Sequence, residues 1–168
     1  IPSEANANRL ISWGEKGCWT WAFVSWKTVD DGMDYQVTTA DIKETERLMG
    51  KHLAIVADYR AFLNDGKPVN FPYELFERLK GNASTLFLTW EPRDWAHPEK
   101  SLIPDILSGK LDQYIDDFAR DIQSTQTTIL LRFGHEMNLQ NYSWNGLYNG
   151  GGETTGFGDP KLPDGPER

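Results

Sequence analysis

The sequence predicts an α/β fold, a (β/α)8 barrel of which this chain supplies about the first four βα units. Three observations lead there. Four short apolar runs lack polar alternation and read as buried strands. Segments of helical period separate them, in the order βαβαβαβ, which implies parallel strands joined by right-handed crossovers. Polar and aromatic residues gather where the strands are expected to end, as at the mouth of a barrel.

The first strand is expected over Cys18–Ser25, running up to Trp26. Thr39 is placed to cap a helix over Ala40–Gly50, which carries Ile42, Leu48 and Met49 and closes on a glycine. The run Leu53–Ala57 is the second strand, with Asp58-Tyr59 at its end. Pro72 opens a short helix with Leu75, Phe76 and Leu79 on one face and Gly81 at its close. Thr85–Thr89 is the third strand and delivers Trp90-Glu91. Leu111, Tyr114, Ile115, Phe118 and Ile122 then form an amphipathic stripe that must face a sheet. Thr128–Phe133 is the fourth strand and ends on His135-Glu136. Trp26, Asp58 and Trp90 lie 32 residues apart, about one βαβ unit.

A complete barrel needs ~250 residues, and this chain has 168. Its last stretch, Asn145–Arg168, holds seven glycines and three prolines with no helical or strand period, and reads as a loop. Residues 1–168 are therefore read as the N-terminal part of a single catalytic barrel. Residues 145–168 form the loop after strand four, and the remaining half is expected in continuing chain or in a second chain. Alone, such a half would leave sheet edges and apolar faces uncovered.

Composition narrows the function. A net charge of -8 with scattered Lys and Arg argues against nucleic acid, whose phosphates call for a basic patch. No apolar run approaches the ~20 residues of a membrane span. The single cysteine, Cys18, excludes an intrachain disulfide framework. The start at Ile1-Pro2-Ser3 reads as processed or trimmed, and Asn82-Ala83-Ser84 and Asn141-Tyr142-Ser143 fit the glycosylation sequon. A secreted protein is expected, with Asn82 as the candidate acceptor. Aromatic residues make up 12% of the chain, and several tryptophans fall at expected strand ends. A groove that stacks on sugar rings would use them so, although aromatics also fill cores.

The chemistry concentrates in Arg132-Phe133-Gly134-His135-Glu136-Met137-Asn138, directly after the fourth strand. A glutamate there, between a histidine and an asparagine and followed by Tyr142 and Trp144, suits proton transfer on a polar ring-shaped substrate. Phe133, Met137 and Trp144 would raise its pKa by desolvation, whereas pairing with Arg132 would leave it an ordinary ionised glutamate. Glu91 reads as a substrate hydrogen-bonder or supporting partner, or as half of a structural salt bridge. Asp58 divides between a substrate contact and a structural role, and Trp90 between sugar stacking and core. The three histidines, His52, His97 and His135, show no metal-site spacing, so neither a metal nor a cofactor is expected.

The segment Leu130–Asn138 resembles the fourth-strand signature of glycoside hydrolase family 26. Thr89-Trp90-Glu91-Pro92 is similar to that family's third-strand segment. The resemblance covers roughly Leu86–Trp144 and implies a retaining β-glycanase, most often a β-mannanase, on a (β/α)8 barrel. It implies Glu136 as general acid/base, His135 in the glycone subsite, and Trp144 lining the cleft. With them, Trp90, Glu91, Asn138, Tyr142 and Asp58 make up the expected substrate-binding set. The second carboxylate, the nucleophile, would lie on strand seven, outside this chain. Leu139-Gln140-Asn141 departs from the family, which has glycine after the asparagine. The competing expectation is a non-catalytic carbohydrate-binding or structural protein derived from such a barrel.

Overall fold

A computed structural model describes Trp21, Ala22 and residues 37–149. Its elements are β1 (Trp21–Ala22), α1 (Thr39–Met49), β2 (Ile55–Asn64), β3 (Lys67–Pro68), α2 (Tyr73–Gly81), β4 (Thr85–Asp94), α3 (Ile103–Leu107), α4 (Asp112–Ser124) and β5 (Leu130–Phe133). The sheet order is β1-β2-β4-β5, with β3 paired to β2. β1 pairs β2 in parallel, Trp21 opposite Ile55. The bonds Thr85 N→Ala54 O and Trp95 N→Leu63 O climb β2 and β4 in one direction. The remainder of the expected first strand, and Trp26, lie outside the described residues, as does most of the 145–168 loop.

The chain forms two compact units. The first combines the described residues up to Asp58 with Pro72–Phe87 and Gln126–Leu130. Helix α1 starts one residue earlier than the sequence suggests. Thr38 is the cap: Asp41 N donates to its hydroxyl, and the Asp41 carboxylate accepts from Thr38 N, a reciprocal capping box. Gly50 ends the helix at φ 64°, a left-handed conformation that favours glycine. α1 buries Ile42, and α2 buries Leu75, Phe76 and Leu79. Gly81, expected to close α2, is its last helical residue; the left-handed turn falls on Ala83 at φ 56°.

Glu46 ties this unit together. Its carboxylate accepts from Asn82 Nδ2 at 2.9 Å, Leu53 N at 3.1 Å and Lys43 Nζ at 3.1 Å, and lies 2.7 Å from His52 Nδ1. The Asn82 amide, first among these, holds Glu46 well below the usual carboxylate range, at about 2. The same amide, where a glycan would attach, also donates to Ser84 Oγ at 3.0 Å. A depressed folded-state pKa stabilises the fold above the unfolded value of 4.5 and is lost as pH falls towards 2. Glu46→Gln should therefore lower the melting temperature at pH 7, with the gap to wild type closing between pH 4.5 and 2. Thermal melts across that range check it; a gap independent of pH would exclude the charge as its source.

The second unit comprises Tyr59–Phe71, Leu88–Thr125 and the described residues from Leu131 onward. Its centre is aromatic. The Trp90 ring stacks on Phe118 at 4.4 Å and 13°, and Phe62 packs 4.3 Å from Trp90. Trp90 Nε1 donates to the Tyr114 hydroxyl at 3.1 Å, which donates to Val69 O. Burial pushes Tyr114 up to about 12. The stripe on α4 thus meets the sheet as expected, with Phe118 its buried residue.

Strands β2 and β4 are each ten residues long, twice the expected length. Asp58, Tyr59, Trp90 and Glu91 accordingly lie inside strands rather than at their ends. β2 turns back into β3 through Asp65-Gly66, both at positive φ, the geometry that a two-residue hairpin of right-handed twist needs. Asp94, at the end of β4, accepts from Asp65 N, Gly66 N and Ala96 N at 2.6–3.0 Å. Burial pushes the Asp94 carboxyl up, and these N–H donors more than offset it, so its pKa is lowered.

Candidate active site

The site lies wholly in the second unit, where β5 ends. Leu130–Phe133 leads into Gly134 at φ 50°, and Gly134 N donates to Trp90 O as the last rung against β4. An added Cβ at Gly134 would meet Trp144 Cδ1 at an ordinary 3.6 Å, so the backbone conformation, not space, calls for glycine. Glu136 follows with φ 51°, a left-handed conformation that a glutamate rarely adopts. This tight exit turns His135 inward and Glu136 outward: they are 7% and 53% exposed.

His135 is held on every side. Its ring packs edge-on to Tyr59 at 5.3 Å and Tyr142 at 4.8 Å, with Trp144 at 5.6 Å. Nε2 lies 3.0 Å from the Tyr142 hydroxyl and 3.9 Å from Glu136 Oε2, and Nδ1 is 3.7 Å from Glu91 Oε1. Burial, then the Arg132 guanidinium, pushes the imidazole below its ordinary value, so the ring is neutral at pH 7.

Glu91 is 2% exposed and salt-bridged to Arg93 at 2.9 Å. Burial raises its pKa, with Arg93 and Arg132 pulling the other way. The carboxyl on which desolvation acts is therefore the one inside β4, Glu91. Of the apolar residues expected around Glu136, Phe133 and Met137 are open, at 51% and 46% exposure, and Trp144 is buried. What the structure sets beside Glu136 instead is Tyr142, whose own pKa is raised by burial and then by its hydrogen bond to Glu136. Arg132 donates to Thr89 Oγ1 and the Tyr59 hydroxyl.

The other expected residues separate. Trp144 does not line an open cleft: it is buried, donates to His135 O at 2.8 Å and stacks behind Tyr142 at 4.4 Å. Trp90 is buried among aromatic rings, with Phe62, Tyr114, Phe118 and Phe133 around it. Asn138 is exposed, and Asp58 is buried on β2 in the other unit. Arg93 went unnoticed in the sequence, and Tyr59 was read only as a strand-end residue beside Asp58. Glu91 and Arg93 stand two apart on β4 and so share one face, a signal that the period of two supplies, and the Arg93 guanidinium lies over the ring of Trp95 just past the strand.

Beyond Tyr142 the surface opens into a cavity of about 390 Å³ lined by Glu99, Ser101, Gln140, Asn141 and Tyr148 among others. Such a mixture of amides, a carboxylate and phenol rings can hydrogen-bond hydroxyls while offering ring faces. Among the described residues no group of three or more His, Cys, Asp or Glu could hold a metal ion. No helix there is long and apolar enough to cross a membrane.

No family model matches the chain. A curated relative is Endoglucanase H of Acetivibrio thermocellus, 34% identical over 109 residues that cover 65% of this chain and 11% of that protein. The chain thus spans about a tenth of the relative's length. This weak homology supports a relationship to glycoside hydrolases.

Proposed function

We infer that this chain belongs to the catalytic domain of an endo-acting β-glycanase, with Glu136 as the proton donor. The observation that carries the reading is the pair His135-Glu136 at the exit of β5. It presents one exposed carboxyl against a buried imidazole and a phenol, beside a cavity lined by amides, a carboxylate and phenol rings. The endoglucanase relationship supports the same reaction class. In this reading the four parallel strands begin a (β/α)8 barrel, and a secreted enzyme acts on β-1,4-linked polysaccharide by retention. The partner carboxylate then stands ~5–5.5 Å from Glu136, on a strand outside this chain. Glu136 protonates the glycosidic oxygen as the bond breaks and, as carboxylate, takes a proton from water in the second step.

The fourth-strand motif favours mannan, and the relative's name favours β-glucan. Incubating the polypeptide that carries this chain with mannan, mixed-linkage β-glucan and xylan, and following product length and anomeric configuration, decides among them. Short oligosaccharides of retained configuration from one polymer are expected. Binding without cleavage of all three would favour the non-catalytic carbohydrate binder.

A further inference from the structure

Three successive peptide carbonyls at the exit of β5 are each tied down. Trp144 Nε1 donates to His135 O at 2.8 Å, Leu139 N to Glu136 O at 2.9 Å, and Asn145 Nδ2 to Met137 O at 2.8 Å. Two of the donors are adjacent side chains of the following loop, and both residues are buried, Trp144 at 5% and Asn145 at 0% exposure. The residue they bracket is Glu136, at φ 51°. We propose that Trp144 and Asn145 are positioning residues: they lock the Glu136 backbone in its left-handed conformation and so aim the carboxyl. The aiming of a proton donor rests on Glu136 being the acid; the lock itself does not.

The lock follows from what relaxation would cost. A residue with a Cβ leaves positive φ unless its surroundings over-determine it. Rotating Glu136 to the ordinary negative range would turn the peptide carrying His135 O against the chain that follows. His135 O, Glu136 O and Met137 O could not then all keep their partners. An indole N–H and an amide N–H would be buried without acceptors, and two such orphans cost more than one left-handed residue does.

The donors are themselves fixed. The Trp144 ring is stacked on Tyr142 at 4.4 Å, with the Arg93 guanidinium 5.7 Å from its centroid. Asn145 Oδ1 accepts from Leu147 N at 2.8 Å, which leaves Nδ2 for Met137 O. Asn149 Nδ2 donates to Asn145 O at 2.8 Å, and Asn149 Oδ1 accepts from Ser101 Oγ at 2.9 Å, tying the loop to the segment before α3. The Glu136 side chain, by contrast, is half exposed, so its backbone rather than packing sets where the carboxyl stands.

Trp144→Phe removes one N–H and keeps a ring to stack on Tyr142. Asn145→Asp removes the other donor and keeps the oxygen that Leu147 N needs. Crystal structures of the variants read φ at Glu136, which should move from positive to negative; a left-handed Glu136 in W144F overturns the proposal, whether or not N145D folds. A double-mutant cycle gives a second reading that needs no hydrolysis. With glutamate at 136, loss of the indole bond is partly offset by release of strain; with glycine there is no strain to release. W144F should therefore lower the melting temperature more in the Glu136→Gly background, and equal losses in the two backgrounds overturn the lock. In hydrolysis, W144F should lower kcat on an unactivated polysaccharide by about 10–100-fold with KM little changed. It should spare the first-step rate on an aryl glycoside with an acidic phenol, which does not need the donor. Equal losses on both substrates, or none on either, overturn the positioning role. A φ that relaxes in W144F, beside a wild-type protein that cleaves no glycan, would sink the acid reading of Glu136 and leave the lock standing.

Discussion

Glu136→Ala, in the polypeptide that carries this chain together with its partner carboxylate, should lower hydrolysis of an unactivated polysaccharide by about 10²–10⁴-fold, the contribution of general acid–base catalysis. The loss falls on poor leaving groups, which need protonation as the bond breaks. Under the retaining mechanism proposed, an aryl glycoside with an acidic phenol should keep much of its first-step rate and then stall, because water attack in the second step would also use this carboxylate. Glu136 is 53% exposed, so the change leaves no cavity and should not disturb the fold. Steady-state rates on polymer and on aryl glycoside, read beside a melting curve, test this. Wild-type rates on mannan, glucan and xylan alike would remove Glu136 from the chemistry.

Trp90→Ala should have the largest effect on stability. The indole is stacked on Phe118, packed against Phe62 and hydrogen-bonded to Tyr114, at 6% exposure. Truncating an aromatic in such a place costs about 3–5 kcal/mol, from lost burial and the cavity left behind. Trp90→Phe should lose less, since it keeps most of the stacked area. Chemical denaturation read by circular dichroism checks both. A variant with unchanged midpoint and weakened oligosaccharide binding would instead make Trp90 a sugar platform.

These two residues show what could be read from the chain. The fourth strand and the polar turn after it were legible because an apolar run stops abruptly at Gly134 and three polar side chains follow within five residues. Trp90 was misplaced because β4 does not stop where its apolar run does. Glu91 and Asp94 continue the strand, the one held by Arg93 two residues on, the other by N–H groups of the β2–β3 hairpin. A charge satisfied by a partner on the same strand face or in a distant turn looks, in sequence, like a strand end. Asp58 and Trp90, 32 residues apart, therefore mark positions within β2 and β4. The aromatic count was equally ambiguous, since rings pack on rings in cores as readily as on sugars. Only contacts such as Phe118 on Trp90 and Tyr142 on Trp144 decide which faces remain open.

The left-handed backbone at Glu136 sets two selective pressures against each other. A residue with a Cβ held at φ 51° carries strain of order 1 kcal/mol, which glycine does not. Random mutation filtered for folding alone would therefore drift this codon towards glycine or asparagine. Glu136→Gly should melt above Glu136→Ala while being equally inactive. A lineage that gave up hydrolysis and kept only the fold would be expected to carry such a residue here. In the glycanase reading, a glutamate kept here against that strain is what a population under selection for turnover would retain.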